Sequence, residues 1–289
     1  MRGFEIMHPA TIEEAIRLLS VDDPGVRPFS GGTALMQMMK TGMFVPTRLV
    51  CLAGLTKQHA GIVADDNGGL TIGAMTTLSA VEHDRSVMSH APVLARAMRR
   101  LANVRVRNVA TVGGALAHGD PHMDLPPVLA ALDAVAVVRG PSGAREIPVA
   151  DLYAGYYETV LEPGELIAAV VVPPSAGVLT HYRKTTSRTV DDWPTLGVAV
   201  SLLAAGSKIE TARVVVSAAT ERMQRLPETE ALLLGRAPDP ALLEAAGRVA
   251  AGEVDVVEDA HGSAIYKSHL VEVEVRRALQ DVLSMGSWA

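Results

Sequence analysis

The sequence predicts an α+β protein of two domains, and three observations carry that prediction. Short apolar runs with strand spacing alternate with helical repeats through the first part of the chain. Two glycine pairs, Gly31-Gly32 and Gly113-Gly114, interrupt that part at comparable positions. The segment Pro173-Pro174-Ser175-Ala176-Gly177 then reads as a linker, beyond which three expected strands precede three expected helices. With 289 residues there is material for two cores.

In chain order, Phe4 to Ile6 leads into Thr11-Ile12-Glu13-Glu14, a capping box in which the threonine hydroxyl and the glutamate each satisfy a free backbone N–H. Ile12, Ala15, Ile16 and Leu19 follow with helical spacing. Val26 to Ser30 reads as a strand broken by Gly31-Gly32, and Leu35, Met38 and Met39 as helical turns ending before Gly42. Strands are expected at Leu49 to Leu52 and Leu70 to Ile72, and an amphipathic helix at Pro92 to Leu101. After the second glycine pair comes the polar run His118 to Asp124, a helix from Leu125 to Leu132, and buried strands at Ala134 to Val138 and Leu166 to Val172. Past the linker, strands are expected at Thr180 to Lys184, Leu196 to Ala205 and Thr211 to Ala218. Helices follow at Glu228 to Leu234, Ala241 to Ala251 and Ala264 to Leu283, so that this half forms an antiparallel sheet with helices.

Composition narrows the function. A formal charge of −6 disfavours a nucleic-acid partner, whose phosphates need clustered Lys and Arg, and an aromatic content of 3% disfavours base stacking. Cys51 is the sole cysteine, so this chain forms no internal disulfide and supplies no iron–sulfur cluster; any such cluster belongs to another chain. Arg2, Glu5 and His8 interrupt the N-terminal segment, and no run of about 18 apolar residues occurs. The expectation is a cytoplasmic protein with no membrane span.

The loops Ser30-Gly31-Gly32-Thr33-Ala34-Leu35 and Ala110-Thr111-Val112-Gly113-Gly114 both place two glycines beside a threonine. Successive glycines let several backbone N–H groups face one concavity, and such nests bind anions, so a pyrophosphate is the natural guest. A glycine pair also marks an ordinary turn; two matched pairs argue against that reading. Rossmann and P-loop fingerprints are absent, as are the usual hydrolase and metalloprotease motifs. His118, Asp120, His122 and Asp124 could be read as metal ligands, but polar residues after a glycine turn more often hydrogen-bond a ligand, and Asp124 at a helix start could be only a cap. Lys184 and Trp193 lie on a charged connection, the lysine able to bond an anionic ring and the tryptophan to stack on a flat cofactor or to serve as a half-buried anchor. Arg96, Arg99, Arg100, Arg105 and Arg107 read as a solvated face or, more sharply, as a docking surface or a brace for the second glycine loop.

Taken together with Ile72 to Thr77, Val106 to Gly114, Asp120-Pro121, Pro163 to Ile167, Gly262 to Lys267, His269-Leu270 and Arg276-Arg277, these pieces resemble, over nearly the full chain, the FAD-binding medium subunit of the molybdenum hydroxylases. That is the family of carbon monoxide dehydrogenase and xanthine dehydrogenase. The resemblance implies a vanillyl-alcohol-oxidase (PCMH)-type FAD-binding domain over 1–175, in lobes of about 1–57 and 58–175, and a small α+β domain over 176–289. It implies that Ser30 to Leu35 and Ala110 to Gly114 hold the pyrophosphate of FAD and that Asp124 bonds the ribityl or phosphate region. Ile167 would pack on the isoalloxazine, with Lys184 and the loop to Trp193 beside the ring and His118 and Asp120 near the cofactor. Ala115 stands where many relatives have Asn, which removes one side-chain hydrogen bond to FAD.

The family scheme sends electrons from a molybdenum centre on a large subunit, through two [2Fe-2S] clusters on a small subunit, to this FAD and on to an external acceptor. The expected assembly is a dimer of heterotrimers. No catalytic side chain and no metal site are expected on this chain. Two alternatives stay open: a self-contained FAD-dependent oxidase or dehydrogenase of the same fold, and a non-catalytic nucleotide-binding assembly module.

Overall fold

A computed structural model describes residues 3–286. Its first unit is a three-stranded parallel sheet in which Arg48–Cys51 lies between Glu5–Met7 and Val26–Phe29. The helix Ile12–Leu19 lays Ile12, Ala15, Ile16 and Leu19 against it, the face that the apolar spacing specifies. Thr11 caps that helix by accepting from the Glu14 N–H, and Glu14 returns a carboxylate to the Ala10 N–H rather than to the cap residue itself.

The second unit is a five-stranded antiparallel sheet, ordered Ile62–Ala64, Leu70–Gly73, Leu166–Val172, Val135–Gly140, Gly143–Pro148. Gly143–Pro148 was not expected: only Ile147 in it is buried, so this edge strand carries no apolar alternation to betray it. The short helices Leu78–His83 and Arg85–His90 were likewise missed, being only a turn and a half each. The helix expected to reach Leu101 ends at Arg99, because Ala102 adopts a left-handed conformation with φ +46° and turns the chain back.

The third unit is a four-stranded antiparallel sheet of Leu179–Thr185, Leu196–Ala205, Lys208–Ser217 and Gln224–Arg225, with helices Pro227–Leu233, Pro240–Glu253 and Ala264–Leu283. Side chains alternate faces along a strand, and here both faces are covered. Leu196, Val198, Val200 and Leu202 enter the core beneath the C-terminal helices, whereas Ala199 and Val215 join the core of the second unit. That second contact is with the helices Pro92–Arg99 and Leu125–Ala131. Each of the large buried side chains contributes about 1.5–3 kcal/mol relative to exposure.

Candidate functional site

The two glycine loops meet. The first follows the strand Val26–Phe29 and opens the helix Thr33–Thr41, whose cap residue Gly32 has φ +68° and no side chain to satisfy the first-turn N–H groups. The second opens the short helix Val112–Ala117, capped by Thr111, whose hydroxyl accepts from the Gly114 N–H at 3.2 Å. The Ser30 and Thr111 hydroxyls are 2.9 Å apart, which joins the loops directly. A Cβ on Gly114 would lie 2.9 Å from Thr111 Oγ1 and 3.0 Å from Ser30 Oγ. A Cβ on Gly113 would lie 2.8 Å from the Ala74 Cβ, and the Gly113 N–H donates to the Ala74 carbonyl at 2.8 Å. The Val112 N–H donates to Thr76 and the Leu78 N–H to Ala110, so the second loop is pinned along 74–78.

Ser30, Gly31, Gly32, Thr33, Ala34 and Leu35 are all half-buried, and Gly114 is exposed, whereas Ala110, Thr111, Val112 and Gly113 are buried. The first loop therefore presents the accessible first-turn N–H groups of Thr33–Thr41, and the second, whose N–H groups are taken by Ala74, Thr76 and Thr111, is the fixed base beside it. This is a cradle that added Cβ atoms would fill, and it fits an anionic pyrophosphate.

The polar run beyond the second loop divides into two networks. Asp120 is buried, accepting from the His122 N–H at 2.9 Å, from the Tyr157 hydroxyl at 3.2 Å, and facing His122 Nδ1 at 3.1 Å. Burial pushes its carboxyl up, but the hydrogen bonds from the His122 ring and backbone outweigh that and hold it below the ordinary value. His118 stands edge-on to Tyr157, its ring centroid 5.1 Å away, and burial depresses its pKa against the pull of Asp120. His122 Nε2 reaches Asp259 Oδ2 at 3.3 Å, and behind Asp259 the fully buried Lys267 forms an ion pair at 2.7 Å.

The second network is Asp124, Tyr182 and Lys184. Tyr182 donates to Asp124 Oδ1 at 2.7 Å, and Lys184 Nζ donates to Asp124 Oδ2 at 2.9 Å and to the Arg100 carbonyl at 3.0 Å. Burial raises the Asp124 pKa, with Lys184 opposing it, and raises that of Tyr182.

Several expectations change accordingly. Asp124 does not cap its helix: it has helical backbone angles and turns its side chain to Tyr182 and Lys184. Lys184 spends its charge on Asp124, inside the protein, and is not a free cation on a charged connection; it belongs to the strand Leu179–Thr185, on its buried face. The polar run is split: His118, Asp120 and His122 meet in the first network, and Asp124 belongs to the second. Trp193 is 53% exposed and stacks on His122, the ring centroids 6.1 Å apart and the planes 25° from parallel, beside the first network. Ile167 is buried at an irregularity in the pairing of Leu166–Val172 with Val135–Gly140.

Among the five arginines the brace is Arg107, which bonds Glu82 and the carbonyls of Leu101 and Ala102, while Arg96, Arg99, Arg100 and Arg105 are exposed. Tyr157, Tyr182, Asp259 and Lys267 were not foreseen as part of the networks. Only the alternation that buries Tyr182 beside Lys184 could have signalled one of them. A groove of about 1100 Å³ between Ala150 to Ala154 and Arg222 to Glu228 lies apart from both loops.

The interlocked loops, the mixed first domain and the antiparallel sheet behind it define a flavoprotein fold of the molybdenum-hydroxylase type. Residues 2–175 match the FAD binding domain in molybdopterin dehydrogenase, and residues 181–282 match the CO dehydrogenase flavoprotein C-terminal domain. The chain belongs to this family of FAD-binding oxidoreductase subunits. It is 33% identical over 276 residues to the nicotine 6-hydroxylase medium subunit of Paenarthrobacter nicotinovorans, covering 94% of each chain. It is 31% identical to the carbon monoxide dehydrogenase medium chain of Afipia carboxidovorans, covering 96% of each. Among solved structures, carbon monoxide dehydrogenase from Hydrogenophaga pseudoflava superposes with a TM-score of 0.94 at 32% identity, over 98% of both chains. Quinoline 2-oxidoreductase from Pseudomonas putida 86 gives 0.90 at 27% identity over 97% of both.

Proposed function

We propose that this chain is the medium subunit of a molybdenum hydroxylase complex, holding FAD by its pyrophosphate between Ser30 to Leu35 and Ala110 to Gly114. The observation that carries this reading is the contact of the two glycine loops, Ser30 against Thr111, in a chain that matches flavoprotein subunits along nearly its whole length. The bound flavin supplies the conversion between single electrons and electron pairs.

The chain's own residues bind and orient. First-turn N–H groups of Thr33–Thr41 offer positive dipoles to phosphate oxygens, while the Val112, Gly113 and Gly114 N–H groups, taken by Thr76, Ala74 and Thr111, hold the second loop in place beside them. His118, Asp120 and Ile167 flank the cofactor beyond the second loop, and Trp193 closes over His122 at the rim. Asp124 and Lys184 serve it as a neutralised pair that fixes the wall of the site, since each satisfies the other. No side chain here acts as acid or base on an organic substrate.

The molybdenum cofactor and the [2Fe-2S] clusters reside on a large and a small partner subunit; a chain with one cysteine offers no ligand set for a cluster. The complex is a dimer of heterotrimers in the cytoplasm, and among the described residues no helix is long and apolar enough to cross a membrane. The FAD-binding domain spans 1–175, in lobes of about 1–57 and 58–175, and the C-terminal domain spans 176–289. This division is supported by the chain leaving one sheet at Val172 and entering the next at Leu179.

The test is the visible spectrum of the purified chain, with acid release and identification of its cofactor, for wild type, Gly32→Asp and Gly113→Asp. Released FAD, lost in variants that still fold, is the expected result. A folded wild type that is colourless and takes up no added FAD overturns the reading.

A further inference from the structure

Three consecutive carbonyls in one turn are each held by a cation. Lys184 Nζ takes the Arg100 carbonyl at 3.0 Å, and Arg107 Nη1 takes those of Leu101 at 3.0 Å and Ala102 at 2.6 Å. Lys184 comes from the C-terminal sheet and Arg107 from the segment that runs into the second glycine loop. The turn itself holds Ala102 at φ +46°, a backbone state that costs an L-residue about 1–2 kcal/mol and persists only where its surroundings enforce it.

We propose that Arg107 and Lys184 are positioning residues for the cofactor, joined through the 100–103 turn, so that seating of the C-terminal sheet fixes the second glycine loop. The proposal rests on FAD binding at that loop. Arg107 is fitted to this role by its fork: Nε donates to the buried Glu82 carboxylate at 2.9 Å while Nη1 reaches the turn. Glu82 stands in the last turn of the helix Leu78–His83, whose first residue donates to the Ala110 carbonyl, and Thr77 pairs with Thr111. The segment from the turn to the loop is thus tied at both ends to one short helix. On the other side, Lys184 carries the same turn to Asp124, beyond the loop. A point-charge ammonium at 107 could keep the attraction to Glu82 but could not span Glu82 and two carbonyls together.

The experiment measures amide hydrogen exchange by peptide mass spectrometry on the full chain, with and without FAD, together with FAD affinity and melting temperature. It compares wild type with Arg107→Lys, Ala102→Gly and the exposed control Arg105→Gln. In Arg107→Lys, amides 110–114 should exchange about tenfold faster without FAD and FAD should bind about tenfold more weakly, with the melting temperature little changed. In wild type FAD should slow exchange in the strand 179–185 as well as in the loop, and Arg107→Lys should lose that distant protection. Ala102→Gly, which keeps every side-chain partner and relieves the left-handed strain, should exchange at 110–114 no faster than wild type. Arg105→Gln should match wild type. Wild-type exchange at 110–114 in Arg107→Lys, or exchange in Ala102→Gly as fast as in Arg107→Lys, overturns the proposal, whatever FAD does. If wild type takes up no FAD, the functional reading fails separately, while the exchange of the FAD-free variants still decides the coupling.

Discussion

The backbone of Gly31 presses on that of Val109 so closely that a Cβ at position 31 would be driven into the Val109 carbonyl oxygen. No rotamer relieves such a collision, because both partners are main chain. Gly31→Ala must therefore part the two loops. The expected result is a loss of about 1–3 kcal/mol in urea unfolding and FAD binding weaker by ~100-fold. Gly42→Ala is the matched comparison. Gly42 also has positive φ, +76°, but nothing lies within 4 Å of its Cβ position, so it should lose about 1 kcal/mol and keep its FAD affinity.

Thr111 has two tasks, capping its helix and meeting Ser30. Thr111→Val keeps the shape and removes both hydrogen bonds; it should cost about 1–2 kcal/mol and weaken FAD binding in titration. Thr111→Ser, which retains the hydroxyl, should stay close to wild type on both measures. Equal behaviour of the two variants would show that the hydroxyl does not join the loops.

The Asp124–Lys184 pair is buried, and breaking a buried pair costs more than deleting it. Lys184→Met should destabilise by about 3–5 kcal/mol, because it leaves Asp124 ionisable in a site that already raises its pKa by burial. Lys184→Met with Asp124→Leu should recover most of that loss in denaturant unfolding, since no charge is then stranded. An additive double variant would place the cost elsewhere.

Asp120 and Asp259 both titrate below their ordinary value. For Asp259, burial raises the pKa but the bond from Lys267 and the backbone N–H of His261 lower it further. A depressed carboxyl contributes stability that is present above its unfolded value, 3.8, and is lost as pH falls through its folded value. Unfolding free energy should fall on acidification below about pH 4, and Asp259→Asn should flatten that acid limb. Asp124, whose pKa is raised, works in the opposite sense: its contribution is present below 3.8 and lost as pH rises through its folded value.

Much of the fold was legible because its long elements advertise themselves. Thr11 and Glu14 announced the first helix, Leu166–Val172 and Leu196–Ala205 are continuous apolar strands, and Ala264–Leu283 keeps helical spacing for twenty residues. Gly143–Pro148 stayed hidden, since an exposed edge strand has no reason to alternate. Within the site, the glycine loops were readable one at a time, from the need for bare backbone. Their contact was not, because Ser30 and Thr111 are brought together by two separate sheets. Lys184 was visible as a charge and Asp124 as another, but only strand alternation toward the packed helices makes them a pair. Asp259 carries no motif, and Lys267 was read only as the end of the run Gly262 to Lys267; they matter because a loop 137 residues further along the chain folds over His122.

Leu196–Ala205 donates alternate side chains to two cores, and this bears on how the polypeptide is made. During synthesis the flavin-binding half leaves the ribosome first, with Pro92–Arg99 and Leu125–Ala131 finished as helices but their sheet still unmade. The nascent chain must wait for later residues before its interior closes, a delay during which exposed apolar surface invites aggregation or a chaperone. A gene cut at the linker would yield a C-terminal fragment that keeps a core of its own and a flavin-binding fragment stripped of the side chains of Tyr182, Ala199, Val215 and Met223 that help to close its interior.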